Sequence, residues 1–221
     1  MFISKIVKLP VSDFGMPKFA IKIRWILIAI LLPCIIKGIY VLIFNGEYVS
    51  SNMNGNEIFN TLSAGVAFTG IAAGFVEEMV FRGVILNALK KRWNMKVAVI
   101  VPSMLFGIVH VLGQDFSIGS CLLVIIAGTM VGVMFSMIAI ESGSVWNSGI
   151  VHAIWNIVII GGGLAIGEKM DPYSVMTYVL DSKVFAITGG EFGIESSVIS
   201  LIGYIIVAGI AFIMIKSNRK N

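Results

Sequence analysis

Ionisable side chains are sparse in this chain: 13% of its 221 residues are charged and only two are histidines. A soluble globular domain carries about a quarter of its residues as Asp, Glu, Lys or Arg. With 57% hydrophobic residues and a mean hydropathy of +0.96, a soluble fold is excluded. Cysteine is scarce too. Cys34 and Cys121 are the only two, too few for a disulfide framework. Both fall in apolar runs and read as free buried thiols. The basic residues cluster at the ends of apolar runs, as in a membrane protein, so the net charge of +4 points to no nucleic-acid partner. No small-residue cleavage site follows the basic leader, so no removable signal peptide is expected. A long internal repeat is also missing, and with it any support for an inverted-repeat transporter.

What is present is a series of apolar runs with short polar joints. The pattern predicts an all-α fold, a polytopic transmembrane helix bundle of about six spans: 25–44, 57–89, 97–113, 119–140, 145–166 and 198–215. The first run has about the twenty residues that a bilayer requires. Residues 1–24 mix Lys and Arg with Phe and Ile, as a segment on the cytoplasmic leaflet would. Residues 25–216 form the transmembrane domain, and 217–221 a cytoplasmic tail. Lys37 interrupts the first span close enough to its far end to snorkel. Residues 45–56 read as a polar loop, and an interfacial helix or cap is expected in 167–197.

Basic residues set the orientation. Five precede the first span, four (Lys90, Lys91, Arg92 and Lys96) join the second to the third, and three follow the sixth. Only Lys169 and Lys183 fall in the joints on the other side. Both termini are therefore expected in the cytoplasm.

Against this background Glu77-Glu78-Met79-Val80-Phe81-Arg82 stands out, three ionisable groups inside a long apolar run. A charge at mid-bilayer costs at least about 2.5–3.5 kcal/mol, and such groups mark functional sites by default. His110 and His152 also lie in apolar runs. Counting about 1.5 Å per residue from the basic ends puts Glu77 about 18 Å deep, His110 about 20 Å, His152 about 10 Å and Asn156 about 16 Å. These depths suit one cluster. His152 and Asn156 share a helix face, as do Phe106 and His110, and Glu78 and Arg82 have the spacing of an ion pair. Pairing Arg82 with Glu78 leaves Glu77 free to exchange a proton, as a general base must. Gly70, Gly74, Gly128 and Gly132 have helix-packing spacing; the first two share a face with Glu77, which leaves room beside the carboxylate.

A carboxylate, two imidazoles and an amide suit hydrolysis. Glu77 takes a proton from water, with one histidine sharing that water. The other histidine and Asn156 donate hydrogen bonds to a developing oxyanion. Phe106 packs against the site, and no serine or cysteine is placed as a nucleophile. A metal variant stands beside this one, with Glu77, His110 and His152 as Zn²⁺ ligands and the second glutamate as base. The His-Glu-x-x-His spacing of zinc peptidases is absent, so local motif does not imply the metal.

The order Glu77-Glu78…Arg82, Phe106…His110, His152…Asn156 resembles the CPBP intramembrane endopeptidases. These comprise the Rce1-type CAAX prenyl proteases and the bacterial Abi proteins linked to bacteriocin immunity. The resemblance covers residues 77–156. It implies hydrolysis of a peptide bond in a membrane-associated peptide or protein, with Glu77 as base, His110 as its partner on water, and His152 and Asn156 on the oxyanion side. The short chain resembles the bacterial branch, which implies a multi-pass protein of a bacterial cell membrane. Substrate would enter a mid-membrane cavity from the cytoplasmic side or laterally. Two readings from other classes compete. One is a proton-coupled transporter using the same Glu/His set as a relay; the other is a non-catalytic immunity or scaffold protein.

Overall fold

The computed structural model describes residues 16–218. The first fifteen residues of the basic leader and the last three of the tail lie outside the described residues.

Helix α1, Ile23–Ile43, is an apolar run broken only by Arg24 and Lys37. Strand β1, Gly46–Ser50, follows. Helix α2 then runs from Gly55 to Arg92. Asn54 starts it with a capping box: its side chain accepts from the Asn56 and Glu57 amides, and Glu57 reaches back to the Asn54 amide. Helices α3 (Met95–Val109), α4 (Ile118–Ser142) and α5 (Val145–Ile159) complete the central layer. The turn between α4 and α5 needs Gly143, whose φ of 71° is left-handed, before Ser144 caps the next helix. Strands β2 (Leu164–Gly167) and β3 (Met176–Leu180) follow, then a single-turn helix α6 (Phe185–Thr188) and two 3₁₀ turns at 190–192 and 194–196. Helix α7, Val198–Asn218, ends the described chain.

Helices α1, α2, α4 and α7 are long and apolar enough to cross a membrane. Helices α3 and α5, of 15 residues each, rise only about 22 Å, short of a hydrocarbon layer of about 30 Å. The protein is a helical membrane bundle in which two central helices stop early. Helix α3 ends at Val109, before its apolar run does, and leaves His110 at the C-cap.

Above those short helices sits a cap. Its sheet has the order β1-β3-β2, with β1–β3 antiparallel and β2–β3 parallel. Residues 45–56 are thus partly strand rather than loop. Tyr48 pairs with Tyr178, ring centroids 4.8 Å apart. Segment 167–197 holds a strand, a one-turn helix and two tight turns, so the cap expected there is present.

Three expectations need correction. Lys37 does not snorkel outward: its ammonium donates to the carbonyls of Val158 and Leu164, just where α5 ends, and a cation suits helix C-terminal carbonyls. Cys34 and Cys121 are free thiols, but Cys34 is exposed on α1 and Cys121 half-buried. The space expected beside Gly70 and Gly74 is filled by α5. A Cβ on Gly70 would stand 2.3 Å from Ile157 Cγ1, and one on Gly74 2.8 Å from the Ala153 backbone.

Candidate active site

Helix α2 is not uniform. Two π-helical stretches, Gly65–Ala72 and Met79–Ile85, bracket the regular turn Ala73–Glu78. Wide turns of this kind concentrate at functional sites, and here they flank the two glutamates. Asn156 of α5 donates its Nδ2–H to Thr69 O at 2.9 Å, a carbonyl in the first wide stretch.

Glu78 and Arg82 are completely enclosed. Arg82 Nη1 donates to Glu78 Oε1 at 2.7 Å, and Nη2 to Gly132 O at 2.9 Å. The guanidinium lies 4.6 Å from the Phe106 ring centroid and 5.3 Å from that of Phe135, a cation–π environment. Gly132 is required for this approach: a Cβ there would come within 3.2 Å of Arg82 Nη2 and 2.8 Å of Ser103 Cα.

Glu77 is different. Its side chain is one-third exposed. Its Oε2 has no hydrogen-bond partner among the described residues, and His152 Nε2 stands 3.8 Å away. His152 is held from three directions. Its ring stacks on Phe135 at 4.5 Å and 18°, Nδ1 lies 3.3 Å from Glu78 Oε1, and Nε2 faces Glu77. His110 Nδ1 is 2.7 Å from Phe106 O. A carbonyl only accepts, so Nδ1 carries the proton and Nε2 keeps the basic lone pair. Phe106 itself touches both imidazoles, with centroids 4.6 Å from His110 and 5.8 Å from His152.

Glu77, Phe106, His110, His152 and Asn156 line one cavity of about 160 Å³. Glu78 and Arg82 stand behind it. The structure brings every sequence-predicted residue to this place, but with different partners. The imidazole beside Glu77 is that of His152, while His110 stands in the cavity wall near Phe192, centroids 6.1 Å apart. The metal arrangement does not fit: among the described residues, no three His, Cys, Asp or Glu side chains are grouped to hold an ion.

Helix α3 begins beside Lys90–Lys96 and ends at His110, so the cavity lies at the end of the bundle away from that basic joint. Its walls Ile160, Phe192 and Glu195 also belong to a vestibule of about 720 Å³ beneath the cap. Glu168, Asp171 and Glu191 line the vestibule as well, with Lys169.

Glu195 was missed by sequence reasoning, which left it among the scattered acids of 167–197. In the structure its Oε1 accepts from Trp155 Nε1 at 3.0 Å, and its carbonyl from the Tyr204 hydroxyl at 2.9 Å. Burial pushes its carboxyl above the ordinary range. No local spacing signals this, because the cap folds it in from forty residues beyond Trp155.

No curated protein and no solved structure matches the chain. Residues 59–158 match the family model "Type II CAAX prenyl endopeptidase Rce1-like". The matched segment, a little under half of the chain, holds all three motifs and the helices that carry them. Over these residues the protein is similar to the Rce1-like type II CAAX prenyl endopeptidases.

Proposed function

We propose that this chain is an intramembrane endopeptidase of a bacterial cell membrane that hydrolyses a peptide bond in a membrane-associated peptide or protein. The observation that carries this reading is the contrast between the two glutamates. Glu78 is enclosed and neutralised by Arg82, whereas Glu77 is one-third exposed and lines a cavity together with both histidines. In this reading Glu77 takes the proton as water attacks the scissile carbonyl. His110 Nε2, its other nitrogen committed to Phe106 O, accepts a second hydrogen bond from that water. His152, with its Nδ1–H held by Glu78, its ring by Phe135 and a second proton on Nε2, and Asn156, oriented by Thr69 O, donate to the oxyanion. Preorganised donors of this kind are worth about 10²–10³-fold each.

Substrate enters from the vestibule under the cap, and the basic joints and both termini lie on the cytoplasmic side. Comparison of membrane proteins from cells carrying wild-type or Glu77→Gln protein tests the reading. New termini in the wild-type sample alone support it; identical termini in both, at equal protein level, refute it.

A further inference from the structure

Peptide hydrolysis needs two proton transfers. One proton leaves the attacking water, and one must reach the departing amine. The family motifs supply a group for the first. For the second, the cavity offers a carboxylate that lies outside them. Glu195 stands where the inner cavity meets the vestibule and lines both. Trp155 holds its Oε1 and so leaves Oε2 for the cavity. The groups around it are Glu77 of α2, His110 at the end of α3, His152 of α5 and Tyr204 of α7; Glu168 and Glu191 lie across the vestibule. Neither cavity wall brings a Lys or Arg against it except Lys169 of the vestibule.

We infer that Glu195 is the second working carboxylate of the site, giving its proton to the departing amine and recovering one from Glu77 through water in the cavity. The inference rests on the endopeptidase reading. The step balances as follows. Water loses a proton to Glu77, and its oxygen bonds to the scissile carbon to give a tetrahedral oxyanion. The C–N bond then breaks as the carbonyl re-forms, and the nitrogen takes the Glu195 Oε2 proton. A carboxylic acid and an amine are released, with Glu77 protonated and Glu195 ionised. Transfer of one proton from Glu77 to Glu195 through water restores both. Burial disfavours the charged form of Glu195, the direction a proton donor requires.

Two measurements on the full-length protein in detergent test this. The first needs no substrate: the infrared difference between wild type and Glu195→Gln at pH 7 is expected to contain the band of a protonated carboxyl. A carboxylate band there instead overturns the inference. The second uses two probes sharing one sequence, taken from a cleavage site found in the membrane comparison. One is a quenched peptide; the other ends at that bond in a 4-nitrophenyl ester, whose leaving group departs without a proton. Glu195→Gln is expected to lose about 10²-fold or more in kcat on the peptide, with KM unchanged, and less than about threefold on the ester. Equal loss on both probes, or none on the peptide, overturns the role of Glu195 while Glu77 keeps its own. Wild-type protein inactive on both overturns the two readings together.

Discussion

Glu77 and Glu78 are adjacent in sequence and opposite in surroundings. Glu78 is wholly buried against Arg82, and Glu77 opens onto the cavity with His152 Nε2 at 3.8 Å. Substituting each should therefore fail in a different way. Glu77→Gln keeps size and shape and removes the base, so cleavage is abolished while the thermal midpoint stays within a degree or two of wild type. Glu78→Gln strands a buried guanidinium, and breaking a buried pair costs about 3–5 kcal/mol. Its midpoint should fall by several degrees. Circular dichroism melts of the purified variants, beside cleavage assays, separate the two outcomes.

Helix α4 approaches α3 closely through two of its own glycines, Gly128 and Gly132, and Gly107 of α3. A Cβ on Gly128 would stand 2.6 Å from Gly107 Cα, and one on Gly132 2.8 Å from Ser103 Cα. Gly128→Ala and Gly132→Ala should each destabilise by about 1–3 kcal/mol, as overpacking does. Only Gly132→Ala should also depress cleavage strongly, because its methyl meets Arg82 Nη2 and shifts the group that holds Glu78. Melts and rates measured side by side check this; equal activity loss in both variants would detach Gly132 from the site.

Lys37 is tied to two carbonyls at the junction of α5 and the cap. Lys37→Met keeps the apolar stem and leaves those carbonyls without a donor. A buried polar group deprived of its partner costs about 1–3 kcal/mol. The expected result is a lower thermal midpoint together with faster amide exchange in residues 158–166, while exchange in α4 is unchanged. Hydrogen exchange in detergent reads both regions at once.

The site was legible because its parts obey short-range rules. Glu78 and Arg82 are four residues apart on one helix, and apolar surroundings make each ionisable group conspicuous. The pairing of Glu77 with His152, rather than with His110, was not legible. It depends on two wide turns in α2 that re-aim its side chains, and spacing counted on a regular helix does not contain them. A cap was expected in 167–197, but its sheet was concealed by composition. Met176-Thr177-Tyr178-Val179-Leu180 has the β-branched and aromatic character of a strand, but it lies within a stretch whose acids and glycines read as loop. Its partner Gly46–Ser50 is 130 residues distant in the chain, and a parallel neighbour, Leu164–Gly167, completes the sheet. The vestibule and Glu195 follow from that assembly.

Acid should loosen the cap at one identifiable point. Glu191 is fully exposed, yet its Oε2 accepts the Ser117 N–H at 2.8 Å, where α4 begins. That backbone hydrogen bond, with help from the Ser120 and Ser117 hydroxyls, lowers its carboxyl below the ordinary carboxylate range. A helix N-terminus favours the negative charge as well. The folded protein thus binds the Glu191 proton less tightly than the unfolded chain does. Its contribution is fully present above the ordinary carboxylate range and is lost as pH falls through the lowered folded value. Glu191→Gln, which carries no charge to titrate, should melt below wild type at pH 7 and approach it as the solution is acidified to pH 3. Thermal melts of both proteins across that range give the comparison. A gap between them that stays constant with pH would show that the Glu191 charge does not hold the cap to α4.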